Sequence, residues 1–463
     1  MVYKKYMVPS TPFNNAKDVY EWLSQFFNSE QGLSKREFTL DNMKILAEKA
    51  GHPENCAPSI HMAGSKGKGS VTGMIASILD NSGLLTACYT SPHVSDFRER
   101  LALGGVFFDE KIYATAGNEL RGLAESLISE NGIEPSFFEL LTLWFFLCAR
   151  QAHCEVMAVE TGMGGRLDAT NILNPLVSVI TLIELEHTEY LGNTIAAIAG
   201  EKAGIIKPSR PLILAEQSDE ALEVFKKRAV QCNSPLLYFP ECAEMQNIRV
   251  GQKGTFFTLV LKNKRLAGKT ESEIFPDLFI PMPGEIQAKN AGLAALAVKT
   301  AFPNIQNESI YKGLAAFTLP ARFERISEEP PFVIDGAHTK RSMELCLETF
   351  TALYGCGGIL IFGCAADKDV LSMAELSLES FSTIIVTTPG TFKKSFPEEI
   401  YAAFIERKEK LGKRAEIIFL PNTAEAIDRA RALALKQELP ILGAGSFYLA
   451  AEIRGKIKGG GLK

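Results

Sequence analysis

Features that mark secreted or nucleic-acid-binding proteins are scarce in this sequence. Its 463 residues carry 49 lysines and arginines against 54 aspartates and glutamates, a formal net charge of -5, so no excess of positive charge points to a nucleic acid or an acidic membrane surface. The nine cysteines include no Cys-x-x-Cys pair and are odd in number, which argues against a disulfide framework or structural zinc. We therefore expect reduced thiols in a cytoplasmic protein that has no nucleic-acid partner.

Long apolar runs are also missing. The opening residues, MVYKKYMVPSTPFNN, lack the continuous apolar stretch of a secretory signal, and no segment approaches the length needed to cross a bilayer. The longest apolar run, LLTLWFFLCA at residues 140–149, fits a buried helix instead. No membrane partner is expected, and a hydrophobic content of 46% is enough for sizeable cores in roughly two to four domains.

Strand and helix patterns alternate along most of the chain, as in SIHMAG followed by VTGMIASILDNSG. Such alternation predicts a mainly parallel sheet covered on both faces. Between Pro211 and Pro281 the pieces become shorter and β-like, and after a boundary near Thr318 the alternation restarts. The predicted fold class is α/β: a P-loop-type, doubly wound domain over residues 1–318, with a small mixed β region at about 211–281, then a smaller Rossmann-like domain over residues 319–463.

A glycine-rich loop, GSKGKGS, joins the SIHMAG strand to a helix expected to begin near Ser70. Successive glycines let backbone N–H groups turn toward a phosphate, the helix adds its positive dipole end, and Lys68 adds a point charge. The strict P-loop pattern fails twice, because Met62 replaces the first glycine and Gly69 separates Lys68 from Ser70. The loop favours a nucleoside triphosphate, and a flexible loop with incidental lysines is the alternative.

Two further side chains follow predicted strands and carry oxygen atoms suited to Mg²⁺. Ser91 lies in YTSPHVSDFRERL, where its hydroxyl could bind the ion, although an exposed polar turn explains it equally simply. Glu160 ends the apolar strand VMAVE, where open α/β sheets bind ligands, and the glycines of TGMGGRLDATN after it favour close approach of a ligand. For Glu160 we favour a functional role over a solvated strand end.

The remaining candidates gain meaning only together. A lone histidine such as His187 is more often structural, and a lysine in a Glu-Lys pair, such as Lys202, is usually solvated. Together with Ser91 and Glu160, however, these two residues could complete two magnesium sites for phosphoryl transfer. In the second half, Asn290 lies one helical turn from Gln287.

Three polar residues follow the boundary of the second domain. Arg322 could neutralise a phosphoryl group from across a cleft, Asp335 ends an apolar strand, and His338 follows it in VIDGAHTKRS. Each of these has a surface interpretation of about equal weight.

Taken in this order, the segments resemble the folylpolyglutamate synthase and dihydrofolate synthase family, itself similar to the Mur ligases of cell-wall synthesis. The resemblance runs from about Tyr20 to Arg454. It is carried by GSKGKGS, TSPH with RERL, SFFE, ETGMGGRLDATN, EHTEYLG, EKAGIIKP, EIQAKNA, ARFE, DGAH, ADKD and GSFYLAAE.

The resemblance implies roles for individual residues. ATP is expected to contact Gly64, Ser65, Lys66, Gly67, Lys68, Gly69, Ser70, Asn290, Arg322, Asp335 and His338. Ser91, Glu160 and His187 would hold magnesium at two sites. Lys202 is similar to a lysine that the family carbamylates, and the resulting carbamate would become a magnesium ligand. Lys68, Glu160, His187, Lys202 and Arg322 form the expected catalytic set.

The resemblance also implies a pterin-binding wall. It comprises Ser136, Phe137, Phe138 and Glu139 of the SFFE segment together with Leu167, Asp168 and Ala169 of the glycine-rich loop. The EFTLDNM segment at residues 37–43 would close over the same ligand.

The sequence departs from the family pattern at several of these motifs. Ser65 and Lys66 stand where the family usually has Thr and Asn, and Glu186 replaces the Asp before His187. Ile286 replaces a common His, Ala321 replaces the Gly before Arg322, and Thr339-Lys340 replaces Asn-Pro after DGAH. Because these changes spare Lys68, Glu160 and His187, catalysis is expected, while glutamate recognition and substrate preference stay open.

The function implied is that of an ATP-dependent ligase that adds L-glutamate to a folate-type carboxylate through an acyl phosphate. Its small-molecule partners would be ATP, L-glutamate and either dihydropteroate or a reduced folate; whether it makes dihydrofolate, lengthens polyglutamate tails or does both is open. A monomer is implied. Two alternatives are another Mur-type amino-acid ligase and a catalytically silent folate- or nucleotide-binding homologue.

Overall fold

Three β-sheets organise the chain in a computed structural model that describes residues 11–28, 39–262, 272–390 and 394–458. The strands are β1 Ser59–Ala63, β2 Thr86–Tyr89, β3 Leu101–Leu103, β4 Val156–Glu160, β5 Val177–Ile180, β6 Leu212–Leu214, β7 Leu236–Tyr238, β8 Ala243–Gly251, β9 Gly254–Leu261, β10 Glu273–Ile280, β11 Glu324–Ser327, β12 Phe332–Ile334, β13 Gly358–Phe362, β14 Phe381–Val386, β15 Glu416–Phe419 and β16 Ile441–Ala444.

Helices cover the faces of these sheets. They are α1 Ala16–Leu23, α2 Asp41–Lys49, α3 Lys68–Asp80, α4 Glu110–Asn131, α5 Phe137–Gln151, α6 Thr188–Leu191, α7 Ile195–Lys202, α8 Asp219–Gln231, α9 Phe239–Cys242, α10 Glu285–Ala301, α11 Asn307–Ala316, α12 Lys340–Tyr354, α13 Val370–Ser380, α14 Pro397–Leu411, α15 Thr423–Gln437 and α16 Phe447–Lys458. Among the described residues, none of the helices has the length and apolar character to cross a membrane.

The first sheet has seven strands in the order β3-β2-β4-β1-β5-β6-β7, parallel except for the β2–β3 pair. Strand alternation sends Met157 and Val159 of β4 to one face, packed against α1, α2, α4 and α5. Val156 and Ala158 point to the opposite face, which α3, α10 and α11 cover. The doubly wound, mainly parallel α/β sheet predicted from the sequence is therefore confirmed.

The predicted small mixed β region at 211–281 needs correction. β6 and β7 pair in parallel within the seven-stranded sheet, and α8 lies between them. The separate small sheet contains β8, β9 and β10 alone, and all its pairs are antiparallel. Its apolar side, with Phe257 and Leu259, packs onto the same core as α3 and α10.

A second α/β unit follows residues 317–323, the stretch that contains the predicted boundary. Its six-stranded sheet has the order β11-β12-β16-β13-β14-β15 and is parallel except for the β11–β12 pair. α12, α13 and α14 pack on one face, and α15 and α16 pack on the other. As in other open α/β sheets, the loops after the carboxyl ends of the strands are the places to look for a binding site.

Candidate active site

A cleft of about 2050 Å³ lies between the two α/β units. The first unit contributes the loops after β1, β2, β4 and β5, and the second contributes those after β12, β13 and β16. Most of the residues predicted from the sequence line this cleft: Ser65, Lys66, Gly67, Lys68, Gly69, Ser70, Ser91, Ser136, Phe138, Glu139, Glu160, Leu167, Asp168, Ala169, His187, Asn290, Arg322, Asp335 and His338.

The glycine-rich loop is fixed from below by the segment after β5. The backbone N–H of Ser65 donates to the carbonyl of Leu182 at 2.9 Å, and the Ser65 hydroxyl donates to the carbonyl of Glu184 at 3.0 Å. α3 begins at Lys68, two residues before the predicted start, because Gly67 caps it in the left-handed region with φ +88°. The unpaired N–H groups of the first helical turn and the positive dipole end thus open into the cleft.

Two lysines converge on the carbonyl of Gly64 beneath this loop. Lys68 Nζ donates to it at 2.8 Å and Lys202 Nζ at 2.7 Å, and Lys202 Nζ lies 2.9 Å from Glu186 Oε1. Lys202 is only 1% exposed, and this burial, together with the charge of Lys68, lowers its pKa to about 8. Neither Gly64 nor Lys202 is among the residues that line the cleft in this lysine form, and Lys202 supports the loop from beneath through the Gly64 carbonyl.

Glu160 is the buried carboxylate at the centre of the cleft. It is 2% exposed, and its Oε2 accepts the backbone N–H of Ser91 at 3.0 Å. Burial raises the Glu160 pKa to about 7 even though Lys68 acts in the opposite direction. A Cβ added to Gly69 would lie 3.3 Å from Glu160 Oε2, so the carboxylate sits directly beside the phosphate loop.

The polar residues beside the phosphate loop fit a magnesium ion that a nucleotide would also bind. In the described ranges, no group of three or more His, Cys, Asp and Glu side chains could hold a metal ion on its own. Mg²⁺ commonly binds through one or two carboxylates, water and substrate phosphates, which matches the Glu160 carboxylate and the Ser91 hydroxyl beside a phosphate loop. A cation would also keep the buried Glu160 ionised.

His187 begins α6 with left-handed backbone, φ +48°. Burial lowers its pKa, although neighbouring Glu186 acts in the opposite direction, so the imidazole is held neutral. A neutral ring is the form that binds a metal ion.

The second unit presents Arg322 to the cleft. Its guanidinium carbon lies 4.1 Å from the centroid of the Phe447 ring, a cation–π contact. Ala321 and Phe323 on either side have left-handed backbone, with φ +54° and +46°. The family's glycine before this arginine would adopt that backbone without strain, whereas Ala321 adopts it at a cost of about 1–2 kcal/mol.

Asp335 holds this strained turn in place. Its Oδ2 accepts the N–H of Phe323 at 2.8 Å and its Oδ1 accepts the N–H of Ala337 at 2.7 Å. Burial raises the Asp335 pKa and the charge of Arg322 opposes this rise. His338 lies nearby, and burial with the charge of Lys66 lowers its pKa to about 4, so its ring is neutral.

The predicted pterin wall is formed by the start of α5. Ser136 and Glu139 make a capping box, in which Glu139 Oε2 accepts the Ser136 N–H at 2.7 Å. Phe138 lines the cleft, but Phe137 does not. The Phe137 ring is buried in the core, 5.8 Å from the Tyr20 ring, so its assignment to the ligand wall is corrected.

Part of the closing segment also falls outside the structural description. Residues 37 and 38 of EFTLDNM lie outside the described residues, whereas Thr39 and Asn42 line the cleft.

The sequence interpretation missed two residues. Phe447, which supports Arg322, follows the Gly445-Ser446 turn after β16, and the strand-end rule applied to that turn could have found it. His61 is hidden in the apolar strand β1, where its hydrogen bond reaches Thr170; no local pattern reveals such a partner.

Comparison with known proteins matches two family models in succession. The Mur ligase middle domain matches residues 62–298, and the Mur ligase, glutamate ligase domain matches residues 321–447. Dihydrofolate synthase/folylpolyglutamate synthase of Bacillus subtilis is 30% identical over 90% of this chain and 95% of its own. Folylpolyglutamate synthase of Lacticaseibacillus casei is 32% identical over 91% and 95%.

Solved structures give the same picture. Mycobacterium tuberculosis folylpolyglutamate synthase complexed with ADP and AMPPCP superposes with a TM-score of 0.84 at 28% identity, over 96% of this chain and 98% of that one. A complex described as FPGS-AMPPCP-folate superposes with a TM-score of 0.79 at 28% identity, over 96% and 99%.

Proposed function

The chain belongs to the folylpolyglutamate synthase and dihydrofolate synthase family of Mur ligases, and we propose how its cleft carries out the family reaction. It is an ATP-dependent ligase that joins glutamate to a folate-type carboxylate. The observation that carries the mechanism is the meeting of a phosphate loop, Lys68 and Glu160 from one unit with Arg322 from the other in a single cleft.

ATP lies with its phosphates on the first turn of α3, where Lys68 and the backbone N–H groups offset their charge. The acceptor carboxylate attacks the γ-phosphorus in line, which forms an acyl phosphate and releases ADP. The amine of glutamate then attacks the acyl carbon, loses a proton and displaces phosphate to leave the amide. The protein's contribution is positioning and charge stabilisation, with Arg322 facing the transferring phosphoryl group from the second unit.

We propose magnesium ligands at Ser91, Glu160, His187 and a carbamylated Lys202. When bound, magnesium would supply positive charge that offsets the negative charge developing on the phosphates during transfer. Lys202 supports the carbamate because its amine is buried, and burial makes the neutral, CO₂-reactive form accessible. A carbamate on Lys202 would lie beside the Glu186 carboxylate, and a bound cation would offset the repulsion between the two negative groups, which would couple the modification to metal binding.

The acceptor wall comprises Phe138, Glu139, Leu167, Asp168 and Ala169, all of which line the cleft. A Cβ on Gly162 would lie 2.3 Å from Phe138 Cζ, so this glycine lets the loop after β4 pack against the aromatic ring. We propose that a flat pterin ring binds between this loop and the start of α5. We also propose that the enzyme works as a monomer in the cytoplasm. Light scattering would test the oligomeric state.

The test is phosphate release from MgATP and glutamate, with dihydropteroate and tetrahydrofolate as separate acceptors. Release with both acceptors identifies a bifunctional enzyme, and release with one identifies its substrate. Release with neither contradicts the proposal and leaves another Mur-type ligase or a silent homologue.

Lys68→Ala should abolish this release while the unfolding transition stays close to that of the native enzyme. The matched control is Lys312→Ala, which removes an exposed lysine that is paired with Glu308 and does not line the cleft. Equal turnover in the two variants would refute the role of Lys68.

A further inference from the structure

A buried chain of hydrogen bonds joins the central strand of the first sheet to the acceptor wall. His61, in the middle of β1, is fully buried, and its Nε2 lies 2.8 Å from the hydroxyl of Thr170. The Thr170 hydroxyl in turn donates to Asp168 Oδ1 at 2.5 Å. Asp168 is the one member of this chain that lines the cleft.

The surroundings of Asp168 fix the direction of these bonds. Its Oδ1 accepts the N–H of Thr170 at 3.0 Å and its Oδ2 accepts the N–H of Met163 at 3.0 Å. Burial raises the Asp168 pKa, while the hydrogen bonds from the Thr170 hydroxyl and from the N–H groups of Met163 and Thr170 act in the opposite direction. Because the Thr170 hydroxyl uses its one hydrogen in the bond to Asp168 Oδ1, it accepts the hydrogen bond from His61 Nε2.

His61 is consequently a neutral ring that carries its proton on Nε2. Its Nδ1 has no hydrogen-bond partner within the described residues. Burial, with the positive charge of Lys207, lowers the His61 pKa to about 3, so the ring does not titrate near neutral pH. The directions of the hydrogen bonds thus set the tautomer of His61.

The position of this network in the fold suggests its use. Asp168 caps the short 3₁₀ turn Ala169–Ile172, and its bond to the Met163 N–H joins the two ends of the glycine-containing loop after β4. β1 is flanked by β4 and β5 and continues directly into the phosphate loop at Gly64. The acceptor loop is thus tied to the same rigid strand that carries the ATP loop.

We propose that His61 and Thr170 are positioning residues that hold Asp168 and its loop in the conformation that binds the folate-type acceptor. The inference rests on the proposed function. It assigns the network to acceptor affinity and not to ATP binding, because the bonds end at the loop after β4 and leave the phosphate loop intact.

Two variants break the network at different bonds. Thr170→Val removes the hydroxyl at nearly constant volume, and His61→Leu removes the donor behind it. Each should raise the KM for the acceptor about tenfold, the usual effect of leaving one buried polar group unpaired, with the KM for ATP within about twofold. Because both act on one chain of bonds, the double variant should be little worse than Thr170→Val.

Two further variants separate positioning from general stability. Thr170→Ser keeps the hydroxyl and should restore the native acceptor KM. Ser77→Ala removes another buried hydrogen bond, from the Ser77 hydroxyl to the Gly313 carbonyl at 2.7 Å, and should lower the melting temperature without changing the acceptor KM.

The outcomes distinguish this inference from the proposed function. If the native enzyme shows no acceptor-dependent phosphate release, the proposed function fails. If the native enzyme turns over but Thr170→Val and His61→Leu keep the native acceptor KM, or raise both KM values equally, the positioning role is overturned.

Discussion

Two glycines with nearly the same positive φ offer a sharp test of the phosphate loop. Gly67, which caps the start of α3, has φ +88°, and Gly83, which follows α3, has φ +90°. A Cβ on Gly67 would lie 2.9 Å from Asn290 Oδ1, whereas a Cβ on Gly83 would meet nothing within 4 Å. Alanine at either position therefore costs a similar conformational free energy, but only Gly67→Ala also creates a steric conflict.

The expected magnitudes follow from this comparison. An alanine in the left-handed region costs about 1–2 kcal/mol, so both variants should lose this much free energy of unfolding. At Gly67 the new methyl group would also lie about 0.5 Å closer to Asn290 than an ordinary contact allows, so the Asn290 side chain must move away from the nucleotide. A misplacement of about 1 Å in a site that works by positioning can cost about 100-fold, so for about half that shift we expect kcat/KM for ATP to fall about tenfold, or about 1.4 kcal/mol.

The assays are urea unfolding and initial rates of phosphate release over a range of ATP concentrations. Gly83→Ala should lose stability and keep its kcat/KM, and Gly67→Ala should lose both. If Gly67→Ala retains the ATP kinetics of Gly83→Ala, the loop does not hold the triphosphate as described.

Three further predictions follow. With ¹³C-bicarbonate, a lysine carbamate NMR signal should appear in the native enzyme and vanish in Lys202→Ala. It should persist in Lys207→Ala, the control, which removes another lysine whose pKa burial lowers to about 8. Persistence of the signal in both variants would contradict carbamylation at Lys202. Burial raises the pKa of Glu160 in the folded state from 4.5 to about 7, so between these pH values the folded state holds a proton that the unfolded chain releases. The free energy of unfolding of the metal-free protein should therefore fall as pH rises from 4.5 to about 7, and urea titrations of Glu160→Gln should show a flatter decline. Phe447→Leu should free Arg322 from its ring contact and lower kcat about tenfold with an unchanged fold by circular dichroism; an unchanged kcat would argue against a role for the contact.

The sequence identified the phosphate loop because its chemistry is local, but it misplaced the start of α3. The apolar periodicity becomes visible at Val71, so the pattern favoured a start near Ser70. The actual start at Lys68 depends on the left-handed backbone of Gly67, and glycine composition shows that such a conformation is possible without showing where the chain adopts it.

β6 and β7 illustrate a different limit. Each contains three residues, too few for an alternation pattern to separate a central strand from a piece of a small sheet. Their place in the seven-stranded sheet is decided by parallel pairing with β5 and with each other, a long-range property. A local change of texture was therefore mistaken for a change of sheet.

Adjacent phenylalanines show why residue roles needed the structure. Phe137 and Phe138 are chemically identical, and the motif alone assigned both to the ligand. Because α5 begins at Phe137 and successive helical residues point about 100° apart, only one of them can face the cleft. Burial of Phe137 beside Tyr20 leaves Phe138 at the wall.

The charges in the cleft explain why the site is divided between two units. Burial lowers the pKa of Lys66, and the neighbouring charges of Lys68 and Arg322 act in the same direction, against Glu186 and Glu184. Cations gathered in this way repel one another until an anion lies between them. The triphosphate supplies that anion, so its binding favours approach of Arg322 to the phosphate loop. Closure of the cleft would then be driven by the substrate whose acyl phosphate product must be shielded from water.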